Sequence, residues 1–165
     1  MFNAMDDETY NTIRQHIPNF EGLLEEEKQE ISSFTWLWSA FEGKHCDTNA
    51  NETSLRMFAT TRVFDRHEID AAWGYFQERY LTGENAADRF YHLMGDRNGG
   101  IRTGISDGLI NTASDEDKLK ALLFIVYRLR NNLFHGVKGH YGFVDQFENF
   151  QHANTLLRSW IEIPK

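Results

Sequence analysis

Arg130 and His135 stand in the stretch RLRNNLFHGVK, Arg128 to Lys138, together with two asparagines, a second arginine and a lysine. These residue types suit work on a phosphodiester. Arginine keeps its charge at any physiological pH and offers a planar fork of donors to phosphoryl oxygens. Histidine titrates close to neutrality and can take or give a proton. Cleaving RNA by attack of its own 2′-hydroxyl needs an acceptor for that hydroxyl proton, a donor for the leaving 5′-oxygen, and positive charge on the phosphorane-like transition state. In this reading His135 supplies acid/base chemistry and Arg130 stabilises charge. A plainer reading uses the same residues: cationic side chains and a glycine suit the C-terminus of any helix.

Helical phase constrains the pair. At about 100° per residue, Arg130 falls inside the apolar stripe between Val126 and Leu133. A guanidinium there must reach the rim of the fold, meet a carboxylate from a neighbouring helix, or face a cleft. His135 would lie about 140° further round on an unbroken helix. The two converge only if the helix stops near Leu133 or Phe134, as Gly136 and Gly139 permit.

The elements that must position these residues read as helices. Phe20, Leu24, Ile31, Phe34, Trp38 and Phe41 mark one stripe, with Gly43 as its expected stop. Ile69, Trp73, Phe76 and Tyr80 mark a second, and Phe90 to Met94 a shorter one. Five glycines between Gly95 and Gly108 predict a long loop over 95–108, without the Gly-Lys-Ser/Thr of a nucleotide P-loop. Ser114 predicts an N-cap with acids in the first turn, followed by Leu119, Leu122, Leu123, Val126, Leu129 and Leu133 on one face. Phe143, Phe147, Phe150, Leu157 and Ile161 align on a last helix. No alternating strand pattern of useful length is present. The expectation is one all-α domain over 1–165, a four- or five-helix bundle.

Charge narrows the function classes. The net charge of −8 argues against a basic coat for nucleic acid, yet no Asp or Glu occurs from Lys118 to Val144 while five Lys or Arg do. Arg128 and Lys138 read as electrostatic surface or RNA-backbone contacts. One cysteine, Cys46, no apolar leader and no membrane-length apolar run predict a cytosolic protein with no membrane association. His45, His67, His92, His140, His152 and Cys46 match no metal-ligand spacing, so neither a catalytic metal nor a cofactor is expected.

Arg130-Asn131-Asn132-Leu133-Phe134-His135, followed by Gly136, resembles the Arg-x4-6-His signature of the HEPN superfamily, with its polar residue after the arginine. An earlier helix bearing TWLWSAFEG adds to the likeness. The resemblance implies an all-α domain acting as a metal-independent endoribonuclease, as in toxin–antitoxin and phage-defence systems. It also implies a homodimer in which two motifs meet in one cleft, an RNA substrate, and an antitoxin protein as a possible partner. Asn131 or Asn132 would orient the histidine or bind phosphate. Glu42 could pair with Arg130, and Trp36, off the Trp38 stripe, could form dimer surface or a second core face. Non-catalytic members of this superfamily bind RNA, nucleotides or a nucleotidyltransferase partner, which is the alternative function; a purely structural bundle is a third.

Overall fold

The computed structural model describes residues 5–62, 64–135 and 142–165, so Gly136, Lys138, Gly139 and His140 lie outside the described residues. Asp6 opens α1 (Asp7–His16) by accepting the Thr9 N–H at 2.9 Å. None of α1 is buried, although Tyr10 and Ile13 lean on the core. Phe20 then sits in a 3-10 turn, Phe20–Gly22, and α2 (Glu25–His45) begins with three glutamates where the helix dipole favours them. The Glu27 carboxylate accepts the Leu24 N–H at 2.7 Å, while the Leu24 side chain stays exposed. The stripe expected from Phe20 to Phe41 is therefore split between two elements, with Phe20 buried on the turn and Phe34, Trp38 and Phe41 buried on α2.

Gly43 does not stop α2. The helix continues to His45, and a Cβ on Gly43 would meet open space. The left-handed positions that end it fall on Asp47 and Thr48, φ 47° and 62°. Aspartate tolerates that region better than most residues.

Asn51 caps α3 (Glu52–Thr61) by accepting the N–H groups of Thr53 and Ser54, and Leu55, Phe58 and Ala59 are buried on it. Asp65 caps α4 (Arg66–Gln77), whose last turn widens into a π-turn over Glu78–Thr82. Ile69, Phe76 and Tyr80 are buried as the spacing predicts, and the Trp73 indole donates to Gly108 O at 2.7 Å. After α5 (Ala86–Met94) comes a correction to the expected loop over 95–108. Its second half is α6 (Gly100–Gly108), with Ile105 fully buried.

The glycines of α6 serve packing. A Cβ on Gly104 would lie 2.6 Å from the Phe124 ring, and one on Gly108 would strike the Asp117 carbonyl and lie 2.6 Å from the Ala121 Cβ. Both contacts are with α7 (Asp115–Phe134), which Ser114 caps by accepting the Asp117 N–H at 3.1 Å. Leu122, Leu123, Phe124, Ile125 and Val126 are all buried, so the middle of α7 is enclosed on every side. α8 (Phe147–Glu162) packs along α2 through the Phe34–Phe150 and Phe41–Trp160 ring pairs.

Eight α-helices and no strand occur among the described residues, against the four or five helices expected. The all-α class holds. The excess is α1, α3 and α6, nine or ten residues long, none of which is among the expected helices. Among the described residues no helix is long and apolar enough to cross a membrane.

Candidate active site

α7 ends at Phe134, and His135 caps it with φ −96° and ψ 18°. The His135 backbone N–H donates to Asn131 O at 2.9 Å, and its ring is exposed. The chain thus leaves the helix between the two residues of the motif.

Residues four apart share a face of a helix, and those two apart lie about 200° round. This sorts the polar end of α7 into two sides. Arg130 and Phe134 form one: the guanidinium carbon lies 5.3 Å from the Phe134 ring centroid, a cation–π contact. Its Nη1 donates to Asn131 Oδ1 at 3.1 Å, and its Nη2 lies 3.9 Å from Glu42 Oε2. Glu42 comes from α2 and is held from two directions. Its Oε2 accepts the Trp38 indole N–H at 3.2 Å and its Oε1 the Ala50 N–H at 3.0 Å. Of the three ways to place Arg130, a carboxylate from a neighbouring helix is the one realised. The side chain still keeps 28% of its exposure, although its Nε is buried with no hydrogen-bond partner among the described residues.

Arg128 and Asn132 form the other side, turned towards α5. Arg128 Nε and Nη2 both donate to Leu93 O, at 3.3 and 3.2 Å, and Nη2 donates to Asn132 Oδ1 at 2.9 Å. The Asn132 amide donates to the carbonyls of His92 and Leu93 at 3.3 and 3.0 Å. Two expectations are corrected here. Arg128, 5% exposed, is not an electrostatic surface residue but a brace that satisfies the open carbonyl at the end of α5. Asn132 does not reach the Arg130 side, because its amide is committed to Arg128 and α5. Burial lowers the Arg128 pKa, with Arg97 adding repulsion.

The structure therefore brings Glu42, Arg130, Asn131 and Phe134 together, with His135 next along the chain. Among the described residues no hydrogen bond or ion pair joins the His135 ring to Arg130. The contribution of Phe134, and of Trp38 and the Ala50 N–H in holding Glu42, goes beyond the sequence reading. The four-residue spacing of Arg130 and Phe134 was the available signal for the first. Lys138, expected to contact RNA, lies outside the described residues. No group of three or more His, Cys, Asp or Glu side chains able to hold a metal ion gathers among the described residues. No family model, curated protein or solved structure matches the chain.

Proposed function

We propose that this protein is a metal-independent endoribonuclease of HEPN type, working as a cytoplasmic toxin or defence effector. The observation that carries the reading is the end of α7. A partly open guanidinium, steadied by a carboxylate, an amide and an aromatic ring, is followed at once by a helix terminus and an exposed imidazole. In the reaction the RNA 2′-hydroxyl loses its proton to a histidine and its oxygen attacks phosphorus. The 5′-oxygen leaves with a proton, giving a 2′,3′-cyclic phosphate and a 5′-hydroxyl. Arg130 meets the charge that builds on the phosphoryl oxygens. Asn131 steadies Arg130 through its side chain and His135 through its backbone carbonyl.

Because one chain supplies one such histidine, the reading includes a homodimer in which two His135 rings share the acid and base roles. Trp36, 68% exposed on α2, offers apolar area for such an interface.

The test is RNA cleavage in the presence of a chelator. Arg130→Ala and His135→Ala should each lose at least about a hundredfold in rate, the usual scale for removing an acid/base or charge-stabilising group. Cleavage equal to wild type in both variants would remove them from the mechanism.

One observation favours a second reading, a module that binds RNA, a nucleotide or a protein partner without cutting. Glu42 already sits across from Arg130 and offsets part of its charge, and Arg128 is spent inside the fold. Wild-type protein that binds RNA, cleaves none, and leaves growth unaffected on expression would decide for this reading.

A further inference from the structure

A cavity of about 340 Å³ opens on the far side of α7 from Arg130, between α5, the π-turn and the segment leading into α8. Its volume falls at the lower end of small-molecule sites, which run from about 300 to 1,000 Å³. Asn132 lines it, as do Arg79, Arg89, Asp88, His92 and Asp145.

Three features of this lining are unusual, and each has its own origin. The π-turn shifts the helical register so that consecutive residues, Arg79 and Tyr80, are both buried, at 5% and 6% exposure. Arg79 is thus an arginine in the interior, which calls for an anion. Two guanidiniums then converge on a single oxygen: Arg79 Nη2 lies 3.2 Å and Arg89 Nη2 3.1 Å from Asp145 Oδ2. Arg79 Nη2 also donates to the Asp145 backbone carbonyl at 2.5 Å, and Arg79 Nε has no hydrogen-bond partner among the described residues. Finally, Asp145 adopts a left-handed backbone, φ 59°, while staying largely exposed itself. Among the described residues, Asp145, a half-open carboxylate in a disfavoured conformation, is the acidic group paired with both the buried arginine and its neighbour, and the Tyr80 ring adds a cation–π contact to Arg79 at 5.7 Å.

We propose that this cavity binds the phosphoryl group of a mononucleotide-sized ligand, with Arg79 and Arg89 taking the phosphate and the Asp145 carboxylate occupying its place until the ligand arrives. A phosphoryl group has three oxygens for the two donor forks, where Asp145 presents one oxygen to both. With Asp145 displaced, two guanidiniums face one remaining carboxylate among the described lining residues, Asp88, so that lining becomes net cationic. The site is independent of the ribonuclease reading, because Asn132 and Arg130 point to opposite sides of α7.

Calorimetry with inorganic phosphate, AMP and adenosine on the full chain tests the proposal. Wild type should bind AMP and phosphate, and bind adenosine at least about tenfold more weakly than AMP. Arg89→Gln, at a partly exposed position, should weaken AMP binding about tenfold or more. Asp145→Asn removes the competing carboxylate, so phosphate should raise its melting temperature by more than it raises that of wild type. Arg130→Ala should bind AMP as wild type does, which separates this site from the ribonuclease motif. No phosphate or AMP binding by wild type, equal affinity for adenosine and AMP, or an unchanged affinity in Arg89→Gln would each overturn the assignment.

Discussion

Arg128 and Arg130 are two positions apart and do opposite work. Arg128 has its charge enclosed and its Nε and Nη2 bonded to Leu93 O and Asn132, so truncation strands the buried Asn132 amide oxygen and leaves Leu93 O with the Asn132 amide as its donor. Arg128→Ala should therefore cost about 2–4 kcal/mol of stability, in the range for breaking a buried polar network. Arg130 is partly exposed and its ion pair with Glu42 is long, so Arg130→Ala should cost about 1 kcal/mol or less. Urea denaturation of the two variants gives the comparison. Equal losses would mean that Arg130 is structural, and a rate defect in Arg130→Ala could then no longer be assigned to chemistry. Helical phase in the sequence puts Arg130 inside the apolar stripe and leaves Arg128 as surface, the reverse of their order of burial in the fold. Which one is enclosed depends on α5 arriving on one side of α7 and α2 on the other.

The glycines test the helices in the same way. Gly104 and Gly108 let α6 lie directly on Phe124, Asp117 and Ala121 of α7. Gly104→Ala forces a methyl into an aromatic ring in the core and should destabilise by about 1–3 kcal/mol, the usual scale of overpacking. Gly43→Ala adds a methyl to an exposed helix interior with nothing nearby, and should stabilise by about 0.5–1 kcal/mol. Shifts in denaturation midpoint of opposite sign are the expected result; a stabilising Gly104→Ala would refute the close approach of α6 and α7. A glycine-dense stretch reads as loop because glycine is a weak helix former, and only the neighbouring helix shows that these positions were required to be small. The Ser114 cap and the Leu119–Leu133 face were legible for the converse reason: a cap, and a stripe repeated along a 20-residue helix, depend on local chemistry.

Across the whole molecule, two histidines couple the fold to pH. Burial lowers the pKa of His45 and of His152 from the ordinary 6.5, with the positive charge of Lys44 adding to the effect at His45 and Glu148 opposing it at His152. Both rings bind a proton less readily folded than unfolded. Their full contribution is present above pH 6.5 and is lost as pH falls below it, where the unfolded chain takes up protons that the folded one refuses. Urea midpoints should therefore fall between about pH 7 and pH 5, and fall less in a His45→Gln, His152→Gln double variant. Identical pH dependence in the two proteins would show that neither ring is linked to folding.

The sequence by itself determined the all-α class, the capped start and early finish of α7, and the concentration of cationic side chains near its end. Those properties follow from dihedral preference, hydrogen-bond capping and the 3.6-residue repeat, all of which act over a few residues. The sequence offered Glu42 as a partner for Arg130 without fixing it, whereas tertiary structure alone decided that Arg128 and Asn132 would be spent on α5 and that Arg79 and Arg89 would meet at Asp145. These pairings join residues far apart along the chain, and they exist only because a buried polar group must find its partner on whichever element packs against it.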